Sequence, residues 1–282
     1  LHTEWEYKPV TLVSYGGISA GLRAAQMIKQ VVTTLGMVPT KTGVPVPFVA
    51  QFLQDGVFTP NTKLVVLNNP VNPAAVIFSD EELALLAEYC VRHDAIALCD
   101  EVWEQIVFDG RRFRPLMGFP GMRERTVKVG SAGKMFALTG WKVGFLCAAP
   151  ALTKALAGAH QFLTFTTPPN LQAAVAWGLQ NCDDWFDAMP ADLQRSRDRL
   201  AAGLAAAGFR VLPAAGSYFL NVDLAASGIE EDHRAFCLRA VKAHGVAAIP
   251  VSAFYEQDAP TSLIRLCFAK RDETLDAGVE RL

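Results

Sequence analysis

The sequence predicts an α/β protein with a largely parallel sheet, followed by a smaller α+β lobe. From Lys63 onward, short apolar strands alternate with amphipathic helices, which is the pattern of strands joined by helical crossovers. From Phe209 the order changes to short strands around one or two helices. An apolar share of 51% over 282 residues is enough to build a core for each part.

The first 62 residues predict a strand, a glycine turn and a helix. Residues 10–14 are apolar and β-prone, Gly16 and Gly17 follow, and apolar residues recur at helical spacing over 22–35. Residues 39–60 are rich in proline, glycine and valine, which predicts a loop.

Beyond Lys63 the predicted elements follow one another closely. Ser79 and Glu82 have the spacing of a capping box, which predicts a helix start after the first strand of this region. The predicted strands cover residues 64–67, 95–99, 126–129, 143–148, 209–212, 218–222, 247–249 and 264–268. The predicted helices cover residues 80–93, 152–162, 171–179, 185–207 and 232–244.

Charge and cysteine usage exclude several classes of protein. The 26 basic and 28 acidic residues give a net charge of −2, so there is no basic field for nucleic acid or an anionic membrane. No apolar run approaches the roughly 18 residues of a spanning helix.

None of the six cysteines forms a C-x-x-C pair, which predicts reduced thiols in a cytoplasmic protein. The first residues show no export signal, and the start at Leu1 leads us to expect a processed chain or a fragment.

Polar side chains follow three of the predicted strands at the point where each strand ends. Asn72 lies in the turn after strand 64–67, Asp100 follows strand 95–99, and Lys134 follows strand 126–129. In open α/β sheets ligands bind beyond the carboxyl ends of the strands. Taken singly, each feature is more often a plain turn, a helix cap or a chance match. Together they predict a site that holds an amide, a carboxylate and an amine.

Seven short motifs in this order resemble the class I/II aminotransferases, which are fold type I enzymes that use pyridoxal phosphate. The resemblance is greatest to the branch of kynurenine aminotransferase, glutamine transaminase K and the bacterial methionine aminotransferases, and it covers residues 63–282. The motifs are Asn-Pro at 72–73, CDEVWE at 99–104, GSAGKMF at 130–136, TGWKVG at 139–144, GSYF at 216–219, IPVSAF at 249–254 and IRLCF at 264–268.

The resemblance implies a role for each residue around the cofactor ring. Lys134 would bond covalently to the cofactor aldehyde and, once freed, would carry the proton of the substrate α carbon. Asp100 would pair with the pyridine nitrogen and keep it protonated. Asn72 would donate to the ring hydroxyl. Trp103 stands where the family usually has a tyrosine that binds the same hydroxyl, and its indole N–H can donate but cannot ionise.

The resemblance also implies how the two charged ends of cofactor and substrate are held. Ser131 and Lys142 would bind the cofactor phosphate. Arg265 would bind the substrate carboxylate through two of its guanidinium nitrogens, and Asn72 would be the second substrate-binding residue. No metal site is expected. Ala75 stands where the family usually has a glycine, which is a second departure besides Trp103.

Residues 1–61 resemble a different family, the NADPH-dependent FMN reductases, in the C-terminal part of their flavodoxin-like fold. The Ser-Tyr-Gly-Gly loop at 14–17 would lie against the flavin. The domains expected from both resemblances are a flavodoxin-like fragment over 1–61, an N-terminally truncated large cofactor domain over 62–182, and a small C-terminal domain over 183–282. Such a chain could be a natural fusion, a designed chimera or an assembly artefact.

The first functional hypothesis is a pyridoxal-phosphate-dependent aminotransferase. It would move an amino group from an aromatic, sulfur-containing or related amino acid, of the kynurenine, glutamine or methionine type, to a 2-oxo acid. The truncation leads us to expect weakened cofactor binding, and the resemblance implies a homodimer. The alternatives are an NADPH-dependent flavin reductase and a non-catalytic chimeric fragment. We expect small-molecule substrates as partners, and neither nucleic acid nor a membrane.

Overall fold

The computed structural model describes residues 63–255 and 258–282 in full, and within residues 1–62 only the backbone of short strands. These strands have two residues each, so the loop predicted at 39–60 contains some regular pairing. The predicted glycine turn and the helix at 22–35 lie outside the described residues. The pairs are Pro9–Val10 with Val38–Pro39, Val13–Ser14 with Val44–Pro45, and Leu53–Gln54 with Val57–Phe58.

The first sheet has four strands, which we number from Leu64 onward. They are β1 (Leu64–Asn68), β2 (Ile96–Asp100), β3 (Thr126–Ser131) and β4 (Gly144–Ala148). The spatial order is β4-β3-β2-β1. The first three strands are parallel, as predicted, and β4 runs antiparallel to β3. The carboxyl ends of β1, β2 and β3 therefore meet at one edge.

Five helices belong to the chain segment around this sheet and after it. The first begins at the predicted capping box, in which the Ser79 side chain and the Glu82 side chain each accept the other's backbone N–H. Its buried face packs on β1 and β2 and forms a core with the turn at Leu116–Gly118. The helices are α1 (Asp80–Arg92), α2 (Ala132–Met135), α3 (Pro150–Leu163), α4 (Pro169–Asn181) and α5 (Asp183–Ala206). Among the described residues, no helix is both long and apolar enough to cross a bilayer.

The second sheet is antiparallel and forms the α+β part predicted after residue 209. Its order is β5-β6-β8-β7. Together with α5 and two shorter helices it encloses the larger of the hydrophobic cores. Its strands are β5 (Arg210–Val211), β6 (Phe219–Asp223), β7 (Ile249–Pro250) and β8 (Leu263–Cys267), and its helices are α6 (His233–Arg239) and α7 (Asp272–Arg281).

Two elements of this part differ from the sequence prediction. The helix expected at 232–244 is α-helical only to Arg239 and continues as a π-helix over Ala240–His244, where Gly245 ends it at φ 69°. The helix α7 was not predicted, although it begins with Asp272 and Glu273 and buries Leu275.

The turn after β1 is fastened to the second sheet. The carbonyl oxygen of Ala75 accepts the N–H groups of Ala215 (2.7 Å) and Gly216 (3.2 Å), and Asn221 Nδ2 donates to the carbonyl oxygen of Pro73 (2.8 Å). A Cβ at Gly216 would lie 2.7 Å from the Cβ of Pro70, so only glycine fits there. These contacts bring the ends of the first sheet against the second one.

Candidate active site

The ends of β1 and β2 are joined by the amide side chain of Asn68. Asn68 pairs in register with Asp100, and its Nδ2 donates to the carbonyl oxygen of Asp100 (3.1 Å). Its Oδ1 accepts the backbone N–H of Asn72 (2.8 Å). Asn68 therefore ties the turn that contains Asn72 to the end of β2, where Asp100 lies.

Asp100 is a half-buried carboxylate at the sheet edge. Burial raises its pKa, and the N–H of Val102, 3.4 Å from Oδ1, and the positive charge of Lys134 act in the opposite direction. The carboxylate thus lies in a poorly solvated place with a cationic neighbour, where it can pair with a protonated ring nitrogen.

Lys134 lies on the short helix α2, directly after β3. Burial lowers its pKa, the charge of Lys142 lowers it further, and Asp100 raises it. The amine lies 3.4 Å from the phenol oxygen of Tyr218 and 5.0 Å from the centre of the Trp103 ring. A lysine with a lowered pKa has more of the neutral amine, which is the form that reacts with a carbonyl carbon.

Trp103 is buried, with 3% of its surface exposed, and forms one wall of the site. Its ring meets that of Tyr218 edge-on, with centroids 4.4 Å apart and an interplanar angle of 88°. Phe219 lies 5.7 Å from it in a similar arrangement. The departure from the family's tyrosine therefore leaves position 103 with a packing role beside the lysine.

Ser131 and Lys142 lie on the two sides of the connection between β3 and β4. Ser131 is the last residue of β3 and pairs with Gly144, two residues beyond Lys142. Lys142 is exposed and adopts a left-handed conformation with φ 57°. A Cβ at Gly133 would lie 3.0 Å from the backbone of Thr139 and 3.4 Å from Ser131 Oγ. The close approach of these segments places a hydroxyl and an ammonium group near Lys134.

Arg265 enters the site from the second sheet. It lies on β8, is 7% exposed, and its guanidinium group is stacked between the rings of Phe219 (3.7 Å) and Phe254 (4.5 Å). One of its terminal nitrogens donates to Asn72 Oδ1. Its Nε is buried without a hydrogen-bond partner, and burial lowers the pKa of the group. A buried cation with an unpaired donor fits an anionic ligand such as a carboxylate.

Glu101, next to Asp100 in the chain, belongs to a separate buried ion pair. It is 1% exposed, accepts the N–H of Leu116 (3.2 Å), and lies 3.6 Å from Lys128. Lys128 also pairs with Glu104. Burial raises the pKa of Glu101 to about 7, and the charge of Lys128 opposes the rise.

The sequence reasoning assigned no role to three aromatic residues of the site. Tyr218 and Phe219 lie in the GSYF motif and Phe254 in the IPVSAF motif, so both motifs were noted without the function of their rings. Their contacts with Lys134 and Arg265 join positions far apart in the chain. The motifs themselves, as conspicuous aromatic segments next to strands, were the available signal.

This architecture is that of the fold type I α/β proteins, the class that contains the pyridoxal-phosphate-dependent aminotransferases. The family model "Aminotransferase class I and II" matches residues 50–282. The chain therefore belongs to the class I and II aminotransferase family.

Several curated proteins and solved structures are similar to the chain. A probable N-succinyldiaminopimelate aminotransferase DapC of Mycobacterium tuberculosis is 41% identical over 233 residues, which are 79% of this chain and 58% of the relative. The methionine aminotransferase of Escherichia coli is 40% identical over 222 residues, 78% of this chain and 57% of the relative. The human kynurenine–oxoglutarate transaminase 1 is 38% identical over 247 residues, 80% of this chain and 58% of the relative. The chain thus spans less than two thirds of these relatives.

Two solved structures resemble most of the chain. That of the N-succinyldiaminopimelate aminotransferase from M. tuberculosis has a TM-score of 0.80 and 36% identity, and covers 98% of this chain and 71% of its own. The structure of YbdL from E. coli, described as having a methionine aminotransferase function, has a TM-score of 0.80 and 32% identity. The match covers 99% of this chain and 72% of the YbdL chain. These findings give no support to the reductase resemblance of residues 1–61, nor to the reductase as an alternative function. The family match begins at residue 50, within that predicted segment.

Proposed function

We propose that this chain carries out pyridoxal-phosphate-dependent transfer of an amino group from an amino acid to a 2-oxo acid. The observation that carries the proposal is the position of Lys134, a half-buried amine with a lowered pKa that lies beside the rings of Tyr218 and Trp103. The carboxylate of Asp100 acts on the same amine. Membership of the aminotransferase family supports the same chemistry.

The residues present fit pyridoxal phosphate. Asp100 supplies a carboxylate for the ring nitrogen, and Asn72 supplies an amide for the ring hydroxyl. Ser131 and Lys142 supply a hydroxyl and an ammonium group for the phosphate. The charge of Lys142 lowers the pKa of Lys134, so an anion bound near both would relieve their repulsion. When bound, pyridoxal phosphate supplies an aldehyde and an electron-withdrawing ring that stabilises negative charge on the substrate α carbon.

Each residue of the chain then has a defined task. Lys134 would hold the cofactor through its amine nitrogen and, once freed by the substrate amine, would carry the proton of the substrate α carbon. Asp100 would keep the ring nitrogen protonated. Arg265 would bind the substrate carboxylate through donors that include its unpaired Nε, and Asn72 accepts a hydrogen bond from the guanidinium group and holds it in place. Trp103 excludes water from one side of the amine.

An aromatic, sulfur-containing or related amino donor is the substrate class that we propose. The rings of Phe219 and Phe254 next to Arg265 make the surroundings of the carboxylate apolar. The names of the similar proteins refer to methionine, kynurenine and N-succinyldiaminopimelate. A donor panel should therefore contain methionine, kynurenine, glutamine and N-succinyldiaminopimelate, each with a 2-oxo acid acceptor.

We also propose that the protein is a cytoplasmic homodimer. The buried thiols Cys90 and Cys99 are free, which supports a reducing compartment such as the cytoplasm. A homodimer follows from the family resemblance. The predicted domains over 1–61, 62–182 and 183–282 stay predictions.

Covalent attachment of the cofactor tests the proposed function. The protein is incubated with pyridoxal phosphate, reduced with borohydride, digested and analysed by mass spectrometry. We expect the reduced cofactor on Lys134, and none in Lys134→Ala, whereas Lys63→Ala, which changes an exposed lysine, should behave as the unmodified protein. Attachment to Lys142 or Lys128 would show that the assignment of Lys134 is wrong. Flavin fluorescence released on denaturation would instead support the reductase.

A further inference from the structure

The amine of Lys134 lies beside two aromatic rings, and one of them carries a hydroxyl group. Lys134 Nζ lies 3.4 Å from the phenol oxygen of Tyr218, 5.8 Å from the centre of the same ring and 5.0 Å from the centre of the Trp103 ring. An indole N–H can only donate a hydrogen bond, whereas a phenol hydroxyl both donates and accepts. Of the two rings, only that of Tyr218 can hydrogen-bond the amine in both of its charge states.

The Tyr218 ring is held in place from several sides. The edge of Trp103 meets it at 4.4 Å and 88°, and Phe219 lies 4.8 Å away at 62°. The carbonyl oxygen of Tyr218 accepts the N–H of Phe268 (3.1 Å), which fixes the backbone at the start of β6. The phenol oxygen therefore points at Lys134 as part of a packed cluster and not as a freely rotating side chain.

We propose that Tyr218 is a catalytic residue of this site, whose hydroxyl group holds Lys134 Nζ in position both as an ammonium group and as a neutral amine. The ammonium group donates to the phenol oxygen, and the phenol O–H donates to the neutral nitrogen, so that the contact persists as the lysine gains and loses its proton. No covalent bond is made between the two residues. The catalytic consequence rests on the proposed function, whereas the contact itself does not.

The charges around the pair determine what loss of the hydroxyl should do. Lys134 faces Asp100, whose charge raises the pKa of the amine, and Lys142, whose charge lowers it. Burial raises the pKa of Tyr218, which favours the protonated phenol as the partner of the amine. Hydrogen bonds to charged groups are roughly twice as strong as neutral ones. The phenol therefore favours the ammonium form, and its removal should lower the pKa of Lys134.

Two further groups face the phenol from β8. Cys267 raises the pKa of Tyr218 and Arg265 lowers it, both by their charge. Neither group changes in Tyr218→Phe, which also keeps the aromatic ring and its edge contacts. The variant therefore isolates the hydroxyl group. Tyr89→Phe is the matched control, because Tyr89 lies on α1 at the core of the first sheet.

The first test uses the protein without cofactor. Trace labelling with acetic anhydride across a pH series, followed by digestion and mass spectrometry, gives the midpoint at which Lys134 becomes reactive, with exposed Lys63 as the internal reference. We expect this midpoint to fall by about 0.5 to 1 pH unit in Tyr218→Phe and to stay unchanged in Tyr89→Phe. An unchanged midpoint in Tyr218→Phe, or an equal fall in the control, would overturn the proposal.

The second test uses the protein loaded with pyridoxal phosphate and a single turnover of an amino donor. Tyr218→Phe should lower the rate constant of the proton-transfer half-reaction by roughly 100-fold with KM changed by less than about threefold. A rate constant equal to that of the unmodified protein would overturn the catalytic role. If the unmodified protein shows no attachment at Lys134 after borohydride, the proposed function fails, and the labelling midpoint still decides whether the contact exists.

Discussion

Neutralising Glu101 should stabilise the protein, and the gain should grow as the pH rises above 4.5, the pKa of this carboxyl in the unfolded chain. Glu101 is 1% exposed, and burial raises its pKa to about 7, from 4.5 in an unperturbed chain. Between these two values the folded state binds a proton that the unfolded state has released. The stability that this proton provides is complete below pH 4.5 and is lost as the pH rises through 7.

The gain in the free energy of unfolding follows from the size of the pKa shift of Glu101. One pKa unit corresponds to about 1.4 kcal/mol, so ionising Glu101 in the folded protein costs about 3 kcal/mol at pH 8. Glu101→Gln imitates the protonated form, because its amide oxygen can still accept the N–H of Leu116. Lys128 keeps Glu104 as its partner. The variant should therefore match the unmodified protein at pH 4.5 and exceed it by about 3 kcal/mol at pH 8.

Urea unfolding of both proteins at pH 4.5, 6 and 8 measures the difference. Glu124→Gln, which changes an exposed glutamate, is the control and should show no trend with pH. A difference for Glu101→Gln that stays constant, or that shrinks as the pH rises, would refute the argument that burial outweighs the attraction of Lys128. We expect transamination to be little affected, because Glu101 contacts neither Lys134 nor Arg265 among the interactions of the described residues.

Three other substitutions test further parts of the structure. Asp100→Asn should lower the turnover rate by roughly 100-fold or more, because the ring nitrogen would lose the charge that keeps it protonated, and steady-state kinetics at pH 7 measure this. Ser252→Ala should lower the free energy of unfolding in urea by about 1 to 3 kcal/mol, because the buried His233 would lose the hydroxyl 2.5 Å from its Nε2. Thr261→Ala, which changes an exposed residue, is the control and should be nearly neutral. Ala75→Gly should change the stability by less than about 1 kcal/mol, since relief of a positive φ of 59° offsets the loss of a fully buried methyl group; a change above about 2 kcal/mol in the same assay would contradict this.

The part of the site that lies on one sheet could be predicted from the sequence. Asn72 lies in the turn after β1, Asp100 is the last residue of β2, and Lys134 lies on the helix that follows β3. Parallel strands bring these ends to one edge of the sheet. The strand boundaries needed for this argument were correct to within one or two residues. Local pattern was sufficient because each residue is placed by its own strand.

The contacts between the two sheets could not be predicted in this way. Tyr218 meets Lys134 across 84 positions of the chain, and Arg265 meets Asn72 across 193. No periodicity relates residues so far apart, since their approach depends on how the second sheet packs on the turn after β1. The missed helix α7 is a different case, because its acidic first turn and its buried Leu275 were visible in the sequence.

Ala75 shows where a departure from a family pattern has a physical meaning. The position adopts a positive φ and is completely buried. Glycine would adopt this backbone conformation with less strain, whereas the methyl group of alanine fills the core. The cost of the strain and the gain from burying the methyl group nearly cancel. We therefore expect this departure from the family pattern to be close to neutral for the stability of the fold.

The hydrogen bond between Arg265 and Asn72 bears on how new substrate preferences could be engineered into this scaffold. The donor belongs to the second sheet and the acceptor to the turn after β1. A substitution at one of these two positions therefore changes the surroundings of the other. A library that randomises Arg265 alone would remove the proposed carboxylate-binding group and would at the same time take this hydrogen-bond partner from the amide of Asn72. Randomising the two codons jointly, with Phe219 and Phe254 held constant, would separate the two causes.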